Sequence, residues 1–233
     1  AQLAFQLAHA SARDAVHASP DWQTLEQAVQ SLGCQAVRLH SRASDRPTYL
    51  QRPDWGRRLD EASRTRLQGY PLPDHPRTAF DIAFVIADGL SACAIERQAI
   101  PLLQHTLPLL RAANWRIAPV ALVSQGRVAI GDEVGEIQHA GIAEVVVGER
   151  PGLSSPDSLG IYFTHSPKVG CHDAMRNCIS NVRPAGLPHA AAAQKLFYLL
   201  SESQRRGLSG VELKDESAST DALPGEQQSF LIR

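Results

Sequence analysis

Runs of apolar residues, each as long as one buried strand, constrain this chain more than any other feature. A run that is apolar at every position is typical of a strand covered on both faces. Helical patterns alternate with these runs, and that rhythm predicts an α/β fold with a mostly parallel sheet. The predicted strands are residues 81–89, 117–125, 143–148 and 159–166.

Two helices are predicted in the second half of the chain. Residues 92–110 carry an apolar stripe at helical spacing, although Pro101 and Pro108 must kink or divide that helix. Residues 187–207 are the clearer case, because basic residues in the last turn complement the helix dipole and Gly207 can end the helix.

The first 68 residues have a helical pattern. Apolar residues recur at helical spacing over 22–32, Asp21 can cap the start of this helix, and Gly33 can end it. A second helix is predicted over 53–68. The sequence therefore predicts a sheet domain with an N-terminal helical extension.

Composition shifts suggest four segments along the chain. The predicted boundaries enclose an N-terminal helical segment (1–69), a proline-rich linker (70–79), the sheet domain (80–215) and a polar tail (216–233).

Charge and composition exclude several classes of partner. The formal net charge of −1 gives no overall attraction to nucleic acid or to an anionic membrane. No apolar run approaches the roughly 20 residues that span a bilayer, and the first residues show no signal-peptide pattern. The four cysteines are expected to be reduced thiols rather than disulfides or metal ligands.

One segment departs from this neutrality. Residues 34–68 contain eight arginines against four acidic residues. Two interpretations stay open: a solvated helix face, or a docking surface for an acidic partner or an anionic ligand.

Two strand ends carry polar groups where an open parallel sheet has its ligand crevice. After the first strand, Asp88 can cap the next helix, or the free N–H groups of that helix can receive an anion. A complete G-x-G-x-x-G is absent, so a dinucleotide site is poorly supported. After the third strand, VVVGERPG places Glu149 and Arg150 at the crevice edge, held by a rigid Pro-Gly. Glu149 is either half of a surface salt bridge with Arg150 or an acceptor for a ligand's donors.

A third polar segment, RNCISNVRP (176–184), is also predicted to follow the end of a strand, and it contains Cys178. A nucleophilic role for Cys178 lacks a partner histidine in any obvious pattern, so a small packing or ligand-contact residue is the alternative. No G-x-S-x-G elbow is present either. These residues therefore predict a crevice that binds a ligand but has no catalytic nucleophile with a partner base.

Long, uncommon motifs carry a resemblance to a known family. GERPGLSSPDSLGIY (148–162) and NCISN (177–181) closely resemble the small (light) subunit of ethanolamine ammonia-lyase. The other matching segments are residues 5–17, 49–64, 81–92 and 126–136. The similarity extends to about residue 216.

The resemblance implies one subunit of an adenosylcobalamin-dependent ammonia-lyase that converts ethanolamine to acetaldehyde and ammonia. It implies a Rossmann-like domain over 80–215 that contacts the cobalamin at the boundary with a TIM-barrel large subunit. This chain alone would be inactive, with no nucleic-acid or membrane partner. The implied location is the cytoplasm, with a bacterial microcompartment as a further option.

The family's cobalamin contacts fall on three residues by motif: Val128 of G-R-V, Glu149 of G-E-R-P-G and Cys178 of N-C-I-S-N. Val128 would pack on the apolar body of the cofactor, Glu149 would accept hydrogen bonds from its amides, and Cys178 would make a weakly polar contact. The cobalt-binding pattern D-x-H-x-x-G is absent, so no protein ligand to cobalt is expected. Two other hypotheses stay open. The first is that the chain is a stand-alone Rossmann-like nucleotide-binding protein, and the second is that it is a purely structural scaffold for assembly.

Overall fold

The computed structural model describes residues 16–71, 79–152 and 155–216, which form a six-stranded sheet in the order β1-β3-β2-β4-β5-β6. The strands are β1 (Ala36–His40), β2 (Phe80–Ala87), β3 (Val120–Ser124), β4 (Ala140–Gly148), β5 (Leu159–His165) and β6 (Arg176–Val182). The helices are α1 (Trp22–Ser31), α2 (Arg46–Gln51), α3 (Glu61–Gln68), α4 (Ile100–Ala112), α5 (Ile130–Ile137) and α6 (His189–Arg206). Short 3-10 turns lie at Trp55–Arg57, Asp173–Met175 and Gly210–Glu212.

The α/β class is confirmed, but the prediction of a mostly parallel sheet is not, because the sheet is mixed. Strands β1, β3, β2 and β4 pair in parallel. Strand β5 runs antiparallel to β4, and β6 runs antiparallel to β5. Residues 149–158, which join β4 to β5, are too few for the crossover of about a dozen or more residues that a parallel neighbour needs.

Helices cover both faces of the sheet, which explains why the apolar runs do not alternate with polar residues. In β2, Ile82, Phe84 and Ile86 pack toward α1, α4 and α6, on what we call the α6 face. Val85 and Ala87 pack toward α3 and α5, on the α5 face. A strand buried on both faces must be apolar at nearly every position.

The first predicted helix is confirmed as α1. The Asp21 carboxylate accepts hydrogen bonds from the backbone N–H groups of Gln23 and Thr24, both at 3.1 Å, and so caps the helix. Gly33, just past the end, has a φ of +74°, a conformation that side chains disfavour.

The rest of the N-terminal segment is less helical than its pattern indicates. Its β1 strand pairs with β3 and extends the sheet, so this segment is not a purely helical extension. The predicted helix 53–68 divides into the 3-10 turn Trp55–Arg57 and α3, since the Asp60 carboxylate accepts a hydrogen bond from the Ser63 N–H (2.7 Å) and starts a new helix. The four-segment division itself stays a prediction, because most of the linker and nearly all of the tail lie outside the described residues.

The helix predicted before β3 is present, and helical residues run without a break from Ala92 to Ala112, so neither proline divides it. The chain forms one α-helical turn (Ala92–Ala94) and a π-helical turn (Ile95–Ala99) before α4 begins. Pro101 lies in the first turn of α4, where no N–H is needed, whereas Pro108 lies inside it. The last predicted helix is confirmed as α6, which ends at Gly207 with a φ of +69°.

A close approach of two backbones determines where β4 ends. A Cβ atom at Gly148 would lie 2.2 Å from the Ser91 carbonyl oxygen and 2.7 Å from that of Asp88. The Leu90 N–H donates to the Gly148 carbonyl at 2.9 Å, which joins the end of β4 to the loop after β2. Only glycine fits this contact.

We therefore expect Gly148→Ala to lower the free energy of unfolding by about 1–3 kcal/mol, because the added methyl group overpacks two backbone carbonyls. Urea unfolding measures this. Gly69→Ala is the matched control, since a Cβ there meets nothing closer than 3.5 Å. Equal midpoints for the two variants would contradict the packing argument.

The described part of the chain contains no helix that is both long enough and apolar enough to cross a membrane.

Candidate functional site

The loops after β2, β3 and β4 meet at the carboxyl edge of the parallel strands, as the crevice rule predicts. They enclose a cavity of about 430 Å³, which we call the edge cavity. Its lining residues are Tyr49, Gly89, Leu90, Arg127, Val128, Val147, Gly148, Glu149, Arg150 and Tyr162.

A second cavity, of about 320 Å³, extends from the edge onto the α5 face of the antiparallel strands, and we call it the face cavity. Both cavities are lined by Arg127, Val128 and Tyr162, so they are adjacent, and we call the two together the crevice. The other residues of the face cavity are Arg57, Ala129, Asp173, Arg176 and Cys178.

The fold brings the three candidate residues to this crevice. Val128 lines both cavities from the turn before α5. Glu149 lines the edge cavity directly after β4, and Cys178 lines the face cavity from within β6, paired with Tyr162 of β5. Residues 176–182 are therefore a strand, not a loop that follows one. That these residues bind a cofactor stays a prediction.

Hydrogen bonds orient the Glu149 side chain. Its Oε2 accepts a short hydrogen bond from the Ser158 hydroxyl and a longer one, at 3.3 Å, from the Asn181 N–H. No ion pair with Arg150 is recorded in the described structure, so the salt-bridge interpretation is not supported. Among the described residues Oε1 accepts no hydrogen bond, which leaves one carboxylate oxygen for a ligand's donor.

Cys178 and Tyr162 present neutral groups to the crevice. Partial burial raises the pKa of the Cys178 thiol, the nearby Glu149 carboxylate raises it further, and the hydrogen bond with Tyr162 opposes them. Burial, together with the contact to Cys178, also raises the pKa of the Tyr162 hydroxyl. A thiol with a raised pKa is a poor nucleophile, so the geometry favours a contact role for Cys178.

Asp88 has a different role from the one its position suggests. The helix after β2 is capped by Ser91, whose hydroxyl accepts from the Ala94 N–H at 3.1 Å. Asp88 instead accepts from the Gly126 N–H at 3.1 Å and lies 3.8 Å from the Arg46 guanidinium. Burial raises the pKa of Asp88 to about 6. Asp88 thus joins the loops after β2 and β3, which line the edge cavity.

A buried ion pair supports the wall of the face cavity. The Arg176 guanidinium donates to both oxygens of Asp132, at 2.6 and 2.8 Å, and each side chain is only 4% exposed. It also donates to the Thr164 hydroxyl and the Cys171 carbonyl, both at 2.8 Å. These bonds fix the start of β6 against α5.

Most arginines of the basic segment have partners within the chain. Arg58 and Arg64 both pair with Glu133 of α5, and Arg52 pairs with Asp54. Arg46 lies beside Asp88, and Arg66 donates to the Arg38 carbonyl at 2.7 Å. Among the described residues, the exposed side chains of Arg42 and Arg57 have no partner, and that of Arg38 has only a charge interaction with Asp21. Arg46, Arg58 and Arg64 are half-buried and contact α5 or the loop after β2, whereas the other five arginines of the segment are exposed, so both a structural contact and a solvated face are present.

The sequence patterns did not indicate Tyr162 or Arg127 as site residues, and they indicated Arg57 only as one of the eight arginines of the basic segment. For Tyr162 a signal existed, because alternate positions in a strand point to opposite faces and its neighbours Ile161 and Phe163 belong to the α6 face. For Arg127 no local signal existed, since contacts between distant segments bring it to the crevice.

The fold and the crevice define a class: an α/β protein with an open cleft at the carboxyl edge of its parallel strands, lined by apolar, acceptor and cationic groups. Comparison with known proteins narrows this class. Residues 1–214 match the family described as ethanolamine ammonia-lyase light chain (EutC), and the chain belongs to that family.

Curated relatives carry the same description. The chain is 55% identical to the ethanolamine ammonia-lyase small subunit of Azotobacter vinelandii over 234 residues, covering 100% of this chain and 86% of the relative. It is 54% identical to that of Ralstonia nicotianae (99% and 84% covered) and 56% identical to that of Xanthomonas campestris pv. campestris (92% and 78% covered). The recognition made from the motifs is confirmed.

Proposed function

We propose that this chain forms one side of the adenosylcobalamin site of ethanolamine ammonia-lyase, and that a TIM-barrel large subunit forms the other. The observation that carries the proposal is the crevice itself, where Val128, Glu149 and Cys178 surround Tyr162. The crevice is open on one side, as a site completed by a second subunit would be. A Rossmann-like ancestry of the domain and a cytoplasmic or microcompartment location stay part of this proposal.

The lining residues fit the chemistry of a cobalamin. A cobalamin has a corrin ring with apolar faces, amide side chains on the rim of that ring, and one phosphodiester in its nucleotide loop. Val128 and Ala129 offer apolar contacts for the ring, and the open Oε1 of Glu149 is an acceptor for an amide N–H. Either cavity is smaller than the whole cofactor, so a cobalamin would lie across the crevice mouth.

When bound, the cofactor supplies the radical chemistry of the ammonia-lyase reaction. The residues of this chain would hold and orient it and exclude water from one side. The neutral Cys178 thiol and Tyr162 phenol do not provide a general acid and a general base at the crevice. We therefore expect the isolated chain to be inactive.

Reconstitution tests this division of labour. We expect ethanolamine deamination only when this chain, the large subunit and adenosylcobalamin are combined. The large subunit with cofactor alone serves as the control. Appreciable turnover by this chain and cofactor without the large subunit would overturn the proposal.

The role of Glu149 has its own test. We expect Glu149→Gln to weaken cobalamin binding by the assembled complex by roughly 10- to 150-fold, because the charge-assisted acceptor, worth about 1.5–3 kcal/mol, is lost. Equilibrium dialysis with cobalamin measures the dissociation constant. Glu212→Gln, at an exposed position outside the crevice, is the control. An unchanged dissociation constant for Glu149→Gln would refute this role.

A further inference from the structure

Among the described residues, two cations at the crevice, Arg57 and Arg150, have no side-chain partner. Arg57 lines the face cavity, and its exposed side chain makes no hydrogen bond or ion pair with the described residues. The other two arginines that line the face cavity have interaction partners within the chain. Arg176 is paired with Asp132, and Arg127 donates to the Tyr49 carbonyl at 3.0 Å and stacks on the Tyr49 ring at 4.4 Å.

The acidic residues that line a cavity together with Arg57, namely Asp54, Asp132 and Asp173, each pair with another arginine. Asp54, three residues earlier, pairs with Arg52 at 2.7 Å. Asp173, across the face cavity, lies 3.3 Å from the Arg176 guanidinium. The crevice therefore has an uncompensated positive charge at this end.

The backbone that carries Arg57 is fixed on both sides. The Gly56 carbonyl accepts a hydrogen bond from the Arg127 N–H at 2.8 Å. The Arg58 side chain donates to buried Glu133 at 2.9 Å, and Glu133 also accepts from the Leu59 N–H at 2.9 Å. A fixed backbone presents the guanidinium at a defined place, so less entropy is lost when it binds a ligand.

We propose that Arg57 binds the phosphodiester in the nucleotide loop of the cobalamin. A guanidinium is suited to planar, two-point contacts with phosphate oxygens, and the phosphodiester is the only anionic group of the cofactor. This inference rests on the proposed function.

Space and charge favour Arg57 over Arg150 for this role. Arg57 also lines a neighbouring cavity of about 440 Å³, which gives room for a bulky loop beyond the face cavity. Arg150 lies in the edge cavity next to the Glu149 carboxylate, whose negative charge disfavours an anion there.

The test measures ligand affinity of the assembled complex, in wild-type and variant form. Equilibrium dialysis gives dissociation constants for cyanocobalamin, cobinamide phosphate and cobinamide, the last two differing only in the phosphate. The variants are Arg57→Gln, Arg57→Lys and Arg150→Gln. Arg42→Gln is the control, since Arg42 is also exposed and without a recorded partner but does not line the crevice.

We expect Arg57→Gln to weaken cyanocobalamin binding roughly 10- to 100-fold, Arg57→Lys to weaken it less, and Arg42→Gln to leave it unchanged. Wild type should prefer cobinamide phosphate to cobinamide, and Arg57→Gln should abolish that preference. An unchanged cyanocobalamin constant for Arg57→Gln, a retained phosphate preference, or its loss in Arg150→Gln instead would overturn the inference. If wild type bound no cobalamin at all, the proposed function would fail rather than the role of Arg57.

Discussion

Replacing Asp132 with alanine is expected to lower the free energy of unfolding of this chain by about 3–5 kcal/mol. The variant would leave the Arg176 guanidinium, which is 4% exposed, buried without its bidentate partner. The remaining acceptors, the Thr164 hydroxyl and the Cys171 carbonyl, are neutral and cannot balance the charge. Urea unfolding followed by circular dichroism measures the change.

The matched control is Asp173→Ala, which removes the other carboxylate that contacts the same arginine. The Asp173 side chain is 92% exposed, so solvent screens its pairing and we expect little change in stability. A destabilisation by Asp173→Ala as large as that by Asp132→Ala would show that burial does not decide the effect. The face cavity shares this wall, so Asp132→Ala should also weaken cobalamin binding by the complex.

The second large effect concerns Glu144, in the middle of β4. Its neighbours in the sheet are Phe84 of β2 and Phe163 of β5, and alternation places its side chain on the α6 face with Ile142 and Val146. The residue is 0% exposed, and neither carboxylate oxygen has a hydrogen-bond partner among the described residues. Burial raises the pKa of Glu144 well above its ordinary value.

The sign of the pH effect follows from linkage. A carboxyl group whose pKa is higher in the folded than in the unfolded state binds more protons when folded, so stability falls as the pH rises above the unfolded pKa near 4.3. Each pH unit up to the folded-state pKa of Glu144 lowers the free energy of unfolding by about 1.4 kcal/mol. The loss is absent in acid and largest at neutral and alkaline pH.

We therefore expect Glu144→Gln to be more stable than wild type at pH 8, by about 1.4 kcal/mol for each pH unit by which folding raises the pKa of Glu144, and nearly equal to it at pH 4. Urea unfolding at a series of pH values measures the difference. Glu212→Gln, at an exposed position, should show no such divergence. Parallel pH profiles for wild type and Glu144→Gln would show that Glu144 is ionised in the folded chain.

Much of the candidate site was predictable because its signals are local. An apolar run that ends in Gly148, followed by Glu149 and a rigid turn, indicates a strand end with a polar group held at the edge. The structure explains the glycine by its contact with the Ser91 and Asp88 carbonyls. The same local reasoning assigned the wrong cap to the next helix, because Ser91, not Asp88, has the required backbone position.

The sequence by itself determined the α/β class, the family, the ends of α1 and α6, and the residues at the strand ends, since periodicity, capping residues and motifs act over a few neighbouring positions. Only the tertiary structure decided that β5 turns back beside β4, that residues 176–182 are a strand, and that among the described residues Arg57 is the one face-cavity cation whose side chain has no partner. The physical reason is that strand pairing and ion pairing join residues far apart in the chain. A local sequence pattern predicts which face of a helix or strand a residue lies on, but it does not predict which distant residue will contact it there.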